Sequence, residues 1–389
     1  MQFVDLQAQF EVLEQGIRTG IDSVLRHGKF IMGPEVYELE QRLAGYVGVK
    51  YAISCSSGTD ALLMALMAEN IGPGDAVFTT PFTFVSTAEV ISLLGATPIF
   101  VDIDPETFNI DHHKLLLAIE AMKKIDPAIH PLPKVPCGIS ALKPRAVIPV
   151  DIFGLPADYE PLLEIAGREG LFVLEDAAQS FGGAYKGRRA GGLGHAGATS
   201  FFPAKPLGCY GDGGAVFTDD EVYAEKLQSI RNHGQGSEKY DNIRIGLNGR
   251  LDTLQAAILL EKLKVFPDEL ASRQKIAAKY TQLLSRHKPG VTVQHIPDDC
   301  SSAWAQYSIL SDSRDSIHNA LKKAGIPSMI YYPKGLHQQT AYSGLGFAAD
   351  DFPVTEKICE RILSLPIHPY LSDEHVERIC YILNEAMSS

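Results

Sequence analysis

The chain has 389 residues, of which 45% are hydrophobic and 21% are charged, and its formal net charge is −12. This composition is ordinary for a globular protein, and the length suits a large core plus a smaller domain, so extended disorder is not expected. The negative charge repels phosphate backbones and no basic stripe is present, which argues against a nucleic-acid partner.

No stretch of the sequence predicts a membrane protein. Apolar runs such as residues 61–68 are far shorter than the roughly 20 residues that a membrane span needs. The first residues lack the basic region and apolar stretch of a signal peptide, so we expect a cytoplasmic protein. The six cysteines are scattered without CxxC spacing. They predict reduced thiols rather than a disulfide framework or a zinc site.

Between about residues 50 and 220, short β-branched or aromatic runs alternate with amphipathic stretches. This alternation predicts an α/β protein in which helices cover both faces of a largely parallel sheet. Residues 123–143, which contain four prolines, predict a loop or insertion on that scaffold. The predicted strands are residues 51–53, 76–79, 97–101, 146–150, 171–175, 198–201 and 215–218.

The last third of the chain predicts a second domain. Helix-spaced apolar residues cover 251–266 and 268–284, and Pro267 predicts a break between these two helices because proline has no N–H to donate. Strands at 291–293 and 307–310 then mix with helices at 313–324 and 373–386, the last of them capped by Ser372. The predicted division is an N-terminal segment (1–20), a large domain (21–250) and a small C-terminal domain (251–389).

The segment at residues 54–60, Ser-Cys-Ser-Ser-Gly-Thr-Asp, lies between a predicted strand and an apolar helical run. Small and hydroxylated residues at a helix start let backbone N–H groups and the Thr59 hydroxyl point at a phosphate, aided by the helix dipole. A capped helix after a strand, with no ligand, fits the same pattern. The segment alone therefore does not define a site.

Asp176 follows a buried strand, at the end where open α/β sheets place their ligands. A carboxylate there can pair with a protonated ring nitrogen, which is how a protein makes pyridoxal an electron sink. Taken alone, Asp176 also fits a helix cap or a metal ligand. Metal is the weaker interpretation because no cluster of histidines and carboxylates accompanies it, and we predict no metal site.

Lys205 lies between Pro203 and Pro206 in an aromatic and glycine-rich segment, residues 200–214. Desolvation among aromatic side chains would favour the neutral, nucleophilic amine. The alternative is an exposed lysine on a loop. Together, a phosphate cradle, a strand-end acid and a lysine in this chain order predict a site for an aromatic cofactor that carries a phosphate.

At these residues the sequence resembles the DegT/DnrJ/EryC1/StrS family of nucleotide-sugar aminotransferases. The resemblance implies the aspartate-aminotransferase fold, which is fold type I of pyridoxal-phosphate enzymes. That fold has a large domain with a mainly parallel seven-stranded sheet and a smaller α/β C-terminal domain. The matching motifs are residues 3–6, 33–35, 57–61, 81–84, 101–105, 175–179, 200–214, 248–257 and 365–369.

The resemblance also implies roles for single residues. Lys205 would form the Schiff base and move the proton, while Asp176 would pair with the pyridine nitrogen. Asn248 would reach the phosphate of the neighbouring subunit's cofactor, which implies a homodimer with shared active sites. The remaining cofactor residues would be Gly58, Thr59 and Ser200 at the phosphate, Phe82 stacked on the ring, and Gln179 near the ring hydroxyl.

Lys205 favours amino transfer, because family members that dehydrate sugars carry histidine at its position. The implied cofactor is pyridoxal 5'-phosphate, with pyridoxamine 5'-phosphate as the amino-carrying form, and the implied substrates are L-glutamate and a nucleotide-linked keto-sugar. The context at 200–214 resembles members that aminate C3 of the sugar, most of all those acting on UDP-2-acetamido-2-deoxy-3-oxo-glucuronate, and the pathway expected is polysaccharide biosynthesis.

The resemblance further implies residues that bind the substrates. Arg250 would hold a carboxylate through its planar fork. Tyr331 and Tyr332 stand where that group tends to have His-Tyr, and Phe30 is a further candidate. The alternatives are a dTDP-3-keto-6-deoxy or 4-keto sugar, a pyridoxal enzyme acting on an amino acid, and a non-catalytic regulator, which would be expected to carry a DNA-binding segment.

Overall fold

The computed structural model describes residues 1–238, 240–285 and 290–388. The first nine strands in chain order are β1 (Tyr51–Cys55), β2 (Asp75–Thr79), β3 (Thr97–Phe100), β4 (Lys143–Ile148), β5 (Phe172–Asp176), the short β6 (Ala184–Tyr185) and β7 (Arg188–Arg189), β8 (Ala196–Ser200) and β9 (Gly214–Thr218). Seven of them form a central sheet in the order β1-β9-β8-β5-β4-β2-β3. Strand β9 is antiparallel to both of its neighbours, and the other neighbouring strands are parallel.

The prediction of a mainly parallel seven-stranded sheet is confirmed. Each predicted strand exists, with ends displaced by a few residues; β4, for example, begins at Lys143 rather than at residue 146. Residues 125–142 contain only a short 3-10 turn, Ile139–Ala141, which agrees with the predicted loop.

Helices cover both faces of the sheet. The first seven are α1 (Leu6–His27), α2 (Pro34–Val47), α3 (Gly58–Ala68), α4 (Ser86–Leu93), α5 (His112–Lys124), α6 (Tyr159–Glu169) and α7 (Glu221–Arg231). Successive strand residues enter opposite cores: Val173 packs with residues of α5 and α6, whereas Leu174 packs with residues of α3 and α7. Because both faces are buried, the middle residues of these strands are mostly apolar, as in Val173 and Leu174 of β5.

Helix α8 (Thr253–Ser285) runs without interruption through Pro267, so the predicted break at this proline is wrong. The first part of α8 buries Leu259 and Phe266 against residues of α2, while its second part buries Ile276 and Tyr280 in a separate apolar cluster near the C-terminus. Packing on both sides of Pro267 outweighs the helix hydrogen bond that proline cannot make.

The C-terminal part contains a three-stranded sheet in the order β10-β12-β13. Its elements are β10 (Thr292–Val293), β11 (Cys300–Ser301), which pairs with β6, β12 (Tyr307–Leu310), α9 (Arg314–Lys323), α10 (Pro353–Arg361), β13 (Ile362–Leu365) and α11 (Asp373–Ser388). The Ser372 hydroxyl accepts the N–H of His375 over 3.3 Å, which confirms this serine as a cap. The division into three segments stays a prediction; its boundary at residue 20 falls inside α1.

Among the residues that the structure describes, no helix is both long enough and apolar enough to cross a membrane.

Candidate active site

A cavity of about 410 Å³ opens at the carboxyl ends of β1, β2, β5 and β8. This edge of an open α/β sheet is where ligands bind. The cavity brings together residues that the chain separates by up to 275 positions, from Ser57 to Tyr332. Of the residues predicted from the sequence, it is lined by Gly58, Thr59, Asp176, Gln179, Ser200, Lys205, Tyr331 and Tyr332.

One end of the cavity is a helix N-terminus of the kind that binds phosphate. The Ser57 hydroxyl accepts the N–H of Asp60 over 3.0 Å, so α3 begins at Gly58. A Cβ on Gly58 would lie 2.6 Å from Cβ of Ser200, so glycine allows these two segments to approach each other. The Thr59 hydroxyl lies 2.9 Å from that of Ser86. Backbone N–H groups and hydroxyls therefore meet at the positive end of the α3 dipole.

Asp176 is held in the cavity floor by neighbours on both sides. Thr87 Oγ1 donates to Asp176 Oδ2 over 2.8 Å, and the N–H of Ala178 donates to Oδ1 over 3.2 Å. Only 5% of the residue is exposed. Burial raises the pKa of this carboxyl, and the two hydrogen bonds together with the charge of Lys205 oppose that rise. A buried carboxylate of this kind gains most from a cation placed beside it.

Lys205 lies on the loop between β8 and β9, where its N–H donates to the carbonyl of Phe202 over 2.9 Å. The side chain lines the cavity. Burial lowers the pKa of its amine, and the carboxylate of Asp176 opposes the change. A larger neutral fraction makes the amine a better nucleophile and base.

Another part of the wall is polar and aromatic. Both ends of the Gln179 amide have a partner, since Oε1 accepts the N–H of Phe153 over 2.8 Å and Nε2 donates to the Tyr332 hydroxyl over 3.4 Å. Burial raises the pKa of Tyr332, so its hydroxyl stays protonated. Tyr331 lies next to it on the same wall.

The structure does not place Phe82 on the cavity wall. Phe82 is fully buried and lies edge-on to Phe108, Phe153 and Tyr332. Phe84, two residues further along, lines the cavity with 57% of its surface exposed. The structure thus places Phe84 on the cavity wall and Phe82 in the core. The stacking role that the resemblance implies for Phe82 stays a prediction.

Three other predicted residues lie outside the cavity of this chain. Asn248 is exposed. Arg250 donates from Nη1 to Asn232 Oδ1 over 2.9 Å. Phe30 is partly exposed, and its carbonyl accepts the N–H of Thr253 over 2.9 Å.

Several residues of the wall are not predicted from the sequence. Thr87 lies one helical turn beyond the motif at 81–84, so this motif only weakly indicates that Thr87 lies beside Asp176. Gln306 lies in an apolar run before β12 and carries no motif. The lining residues not predicted are Ser57, Leu62, Thr83, Phe84, Ser86, Thr87, Ala178, Phe202, Ala204, Asp212 and Gln306. Within the described ranges, no group of three or more His, Cys, Asp or Glu side chains is placed to hold a metal ion.

The residues that line the cavity fit pyridoxal 5'-phosphate. The Gly58 cradle, which a Cβ would fill, suits the phosphate, the buried Asp176 suits the pyridine nitrogen, and Lys205 suits the aldehyde carbon. When bound, this cofactor supplies an electron sink and carries the amino group between substrates. Fold and cavity together define a pyridoxal-phosphate enzyme of fold type I.

The sequence profile of the DegT/DnrJ/EryC1/StrS aminotransferase family matches residues 12–384. The chain belongs to this family, which confirms the class expected from its motifs: a pyridoxal-phosphate-dependent aminotransferase.

Similar proteins agree with this class. The chain is 46% identical over 386 residues to a UDP-2-acetamido-2-deoxy-3-oxo-D-glucuronate aminotransferase of Pseudomonas aeruginosa, covering 98% of this chain and 99% of that one. The crystal structure of a family member from Brucella abortus is 49% identical, with a TM-score of 0.93 and 99% of each chain covered. A Bacillus subtilis structure with bound pyridoxamine phosphate is 28% identical, with a TM-score of 0.85 and 100% of this chain and 83% of that chain covered. The predicted cofactor is thereby confirmed.

Proposed function

We propose that this protein transfers the amino group of L-glutamate to C3 of a UDP-linked 2-acetamido-3-keto sugar, with a uronic acid as the favoured sugar. The observation that carries the proposal is the pair Lys205 and Asp176, which face one cavity beside a phosphate cradle. The sugar is suggested by the Pseudomonas aeruginosa relative, whose name specifies a 3-oxo-glucuronate. The predicted cytoplasmic location and a polysaccharide pathway belong to the same proposal.

Lys205 is the residue to which we assign proton transfer. Its amine has a lowered pKa, so a neutral fraction is available to take a proton from the amino donor and return one to the sugar carbon. Asp176 would pair with the ring nitrogen of the cofactor, and the hydrogen bonds from Thr87 and Ala178 help it to stay ionised. Tyr332 and Gln179 form a neutral part of the cavity wall and would face the bound cofactor and substrate.

The charges of the cavity suggest that a second subunit completes it. Within the part of the chain that the structure describes, Lys205 is the one cationic residue of the lining. Glutamate brings two carboxylates, and a uronic acid brings another, so further cations are needed. We assign this role to Arg250 of a second copy, since Arg250 lies outside the cavity of its own chain and buries Nε without a hydrogen-bond partner among the described residues.

The segment that carries Asn248 supports the homodimer as part of the proposal. Apolar side chains on this segment are exposed to an unusual degree: Tyr240 is 88% exposed and Ile245 is 84% exposed. Exposed apolar side chains grouped on one segment mark an interaction surface. A second copy covering them would bring Asn248 towards the phosphate cradle.

The substrate test loads the protein with pyridoxamine phosphate and adds one keto-sugar nucleotide at a time. We expect the absorbance of the pyridoxal form to return with UDP-2-acetamido-3-keto sugars and fastest with the uronate. Fastest return with a dTDP-3-keto-6-deoxy or 4-keto sugar would transfer the assignment to that substrate, and no return with any of them would contradict the proposal. Lys205→Ala should abolish turnover, while Lys264→Ala, on the exposed face of α8, should not.

The shared site is tested by mixing two inactive variants, Lys205→Ala and Asn248→Ala. In a two-fold dimer with random exchange of subunits, half of the dimers are mixed and each mixed dimer has one intact site. We therefore expect recovery of about a quarter of wild-type activity. No recovery despite proven subunit exchange would contradict the assignment of Asn248 to the neighbouring site.

A further inference from the structure

Gln306 is a cavity-lining residue with no part in the site described so far. It lies directly before β12, and its backbone N–H donates to the carbonyl of Phe153 over 3.3 Å. Its side-chain Oε1 is buried and has no hydrogen-bond partner, and its Nε2 has none among the described residues either. A buried amide oxygen without a hydrogen-bond partner costs free energy, so we expect a group that donates to this Oε1 when the site is occupied.

The contrast with Gln179 identifies Gln306 as the available amide. Phe153 contacts both glutamines through its backbone: its N–H donates to Gln179 Oε1, and its carbonyl accepts the backbone N–H of Gln306. In Gln179, both ends of the amide already have a partner, Phe153 at Oε1 and Tyr332 at Nε2. The amide of Gln306, fixed on the same wall through its backbone, is left for a ligand.

We propose that Gln306 is a specificity-determining residue that hydrogen-bonds to a neutral hydroxyl or acetamido group of the sugar. The inference rests on the proposed function, because the group that Gln306 would bind belongs to the sugar substrate of that function. A side-chain amide offers one acceptor and two donors. Hydroxyl and acetamido groups can both donate and accept, and so satisfy both ends of the amide.

The other ligand of the reaction matches this amide less well. Both carboxylates of glutamate accept hydrogen bonds but donate none, so they leave Oε1 without a partner. The single donor of glutamate is its amino group, which reacts next to Lys205. The acceptor sugar is therefore the substrate that Gln306 binds. Loss of the amide weakens sugar binding more than it affects the reaction with glutamate.

The test compares Gln306→Met, which keeps the length of the side chain and removes the amide, with the same exchange at the exposed Gln282 on α8. Calorimetric titration of the dimeric holoenzyme with UDP-N-acetylglucosamine and with UDP separates the sugar from the nucleotide. We expect Gln306→Met to bind UDP-N-acetylglucosamine about tenfold more weakly, the effect of one lost hydrogen bond. Binding of UDP, and the absorbance change that glutamate causes, should stay at wild-type values.

Two results overturn the inference. One is equal affinity of wild type and Gln306→Met for UDP-N-acetylglucosamine, and the other is equal weakening of UDP and UDP-N-acetylglucosamine. If the wild-type protein responds to no keto-sugar nucleotide and binds neither probe, the proposed function fails first and the inference falls with it. A wild type that responds, together with an unaffected variant, overturns the role of Gln306 alone.

Discussion

The hydroxyl of Thr87 donates a hydrogen bond of 2.8 Å to Oδ2 of Asp176 and lies 3.0 Å from the hydroxyl of Thr83. This pair of threonines connects the first turn of α4 to the carboxylate in the cavity floor. Because burial raises the pKa of Asp176, each hydrogen bond to its charged form helps to keep the group ionised.

Thr87→Val should weaken retention of pyridoxal phosphate. Valine keeps the shape of threonine but cannot donate to Asp176, so the pKa of this carboxyl rises further and the ion pair that we propose between it and the cofactor weakens. A hydrogen bond to a charged group contributes about 1.5–3 kcal/mol, which corresponds to about a tenfold or larger increase in the dissociation constant. Absorbance titrations with cofactor from pH 6 to 8 measure this effect.

Two variants control that measurement. Thr87→Ser keeps the donor and should bind the cofactor as wild type does. Thr83→Val removes the more distant hydroxyl of the pair and should have a smaller effect, since Thr83 makes no hydrogen bond to Asp176. Equal cofactor affinity of Thr87→Val and wild type would show that the hydrogen bond from Thr87 to Asp176 does not contribute to cofactor binding.

Gly58→Ala should fold and yet lose cofactor affinity. The new methyl group would lie 2.6 Å from Cβ of Ser200, so α3 and the end of β8 must separate. We expect cofactor affinity to fall at least about tenfold, with a loss of stability of about 1–3 kcal/mol from overpacking. Gly167→Ala on α6, where a Cβ meets no atom within 4 Å, is the control. Wild-type affinity in Gly58→Ala would contradict the close approach as a requirement for phosphate binding.

The sequence predicted those parts of the fold and the site that depend on local pattern. Asp176 and Gly58 were found because a strand end and a helix start have recognisable residues around them. Phe82 and Phe84 are both aromatic, and only the turn geometry after β2 decides that Phe84 reaches the cavity. Pro267 was misjudged because the packing that keeps α8 continuous comes from residues distant in the chain.

Glu175 and Asp151 form a buried acidic pair beneath the site, and this pair should make stability depend on pH. Glu175 accepts the N–H groups of Gly191 and Leu193, while Asp151 accepts hydroxyl groups of Tyr159 and Ser180. Burial raises the pKa of Asp151 to about 7 and raises that of Glu175 well above its usual range.

The folded protein therefore binds more protons than the unfolded chain from about pH 4 up to the raised pKa values, and the free energy of unfolding falls as pH rises through this window. Glu175→Gln removes one of the two titrating groups. The decrease in the free energy of unfolding between pH 5 and 8 should therefore be about 1–3 kcal/mol smaller than in wild type. Urea unfolding at a series of pH values measures the slope. Glu164→Gln, an exposed exchange on α6, should leave it unchanged. An equally steep fall in Glu175→Gln would contradict this account.

Lys262 should give the opposite dependence on pH. Only 1% of this residue is exposed, its amine makes no hydrogen bond with the described residues, and Nζ lies 4.1 Å from the centre of the Tyr210 ring. Burial lowers the pKa of the amine to about 8, and the charge of Glu269 opposes the change. Between pH 8 and 10.5 the unfolded chain binds more protons than the folded one, so the contribution of Lys262 to stability rises with pH in this window.

Lys262→Met keeps the apolar stem and removes the buried amine. We expect the variant to be about 1–2 kcal/mol more stable than wild type at pH 7, because the cost of burying the charge exceeds the attraction to the Tyr210 ring. We also expect it to gain less stability than wild type between pH 8 and 10. Lys264→Met, at an exposed position of the same helix, is the control in the same urea titrations. A less stable Lys262→Met protein at pH 7, with the wild-type rise above pH 8, would mean that the amine stabilises the fold through its contact with Tyr210.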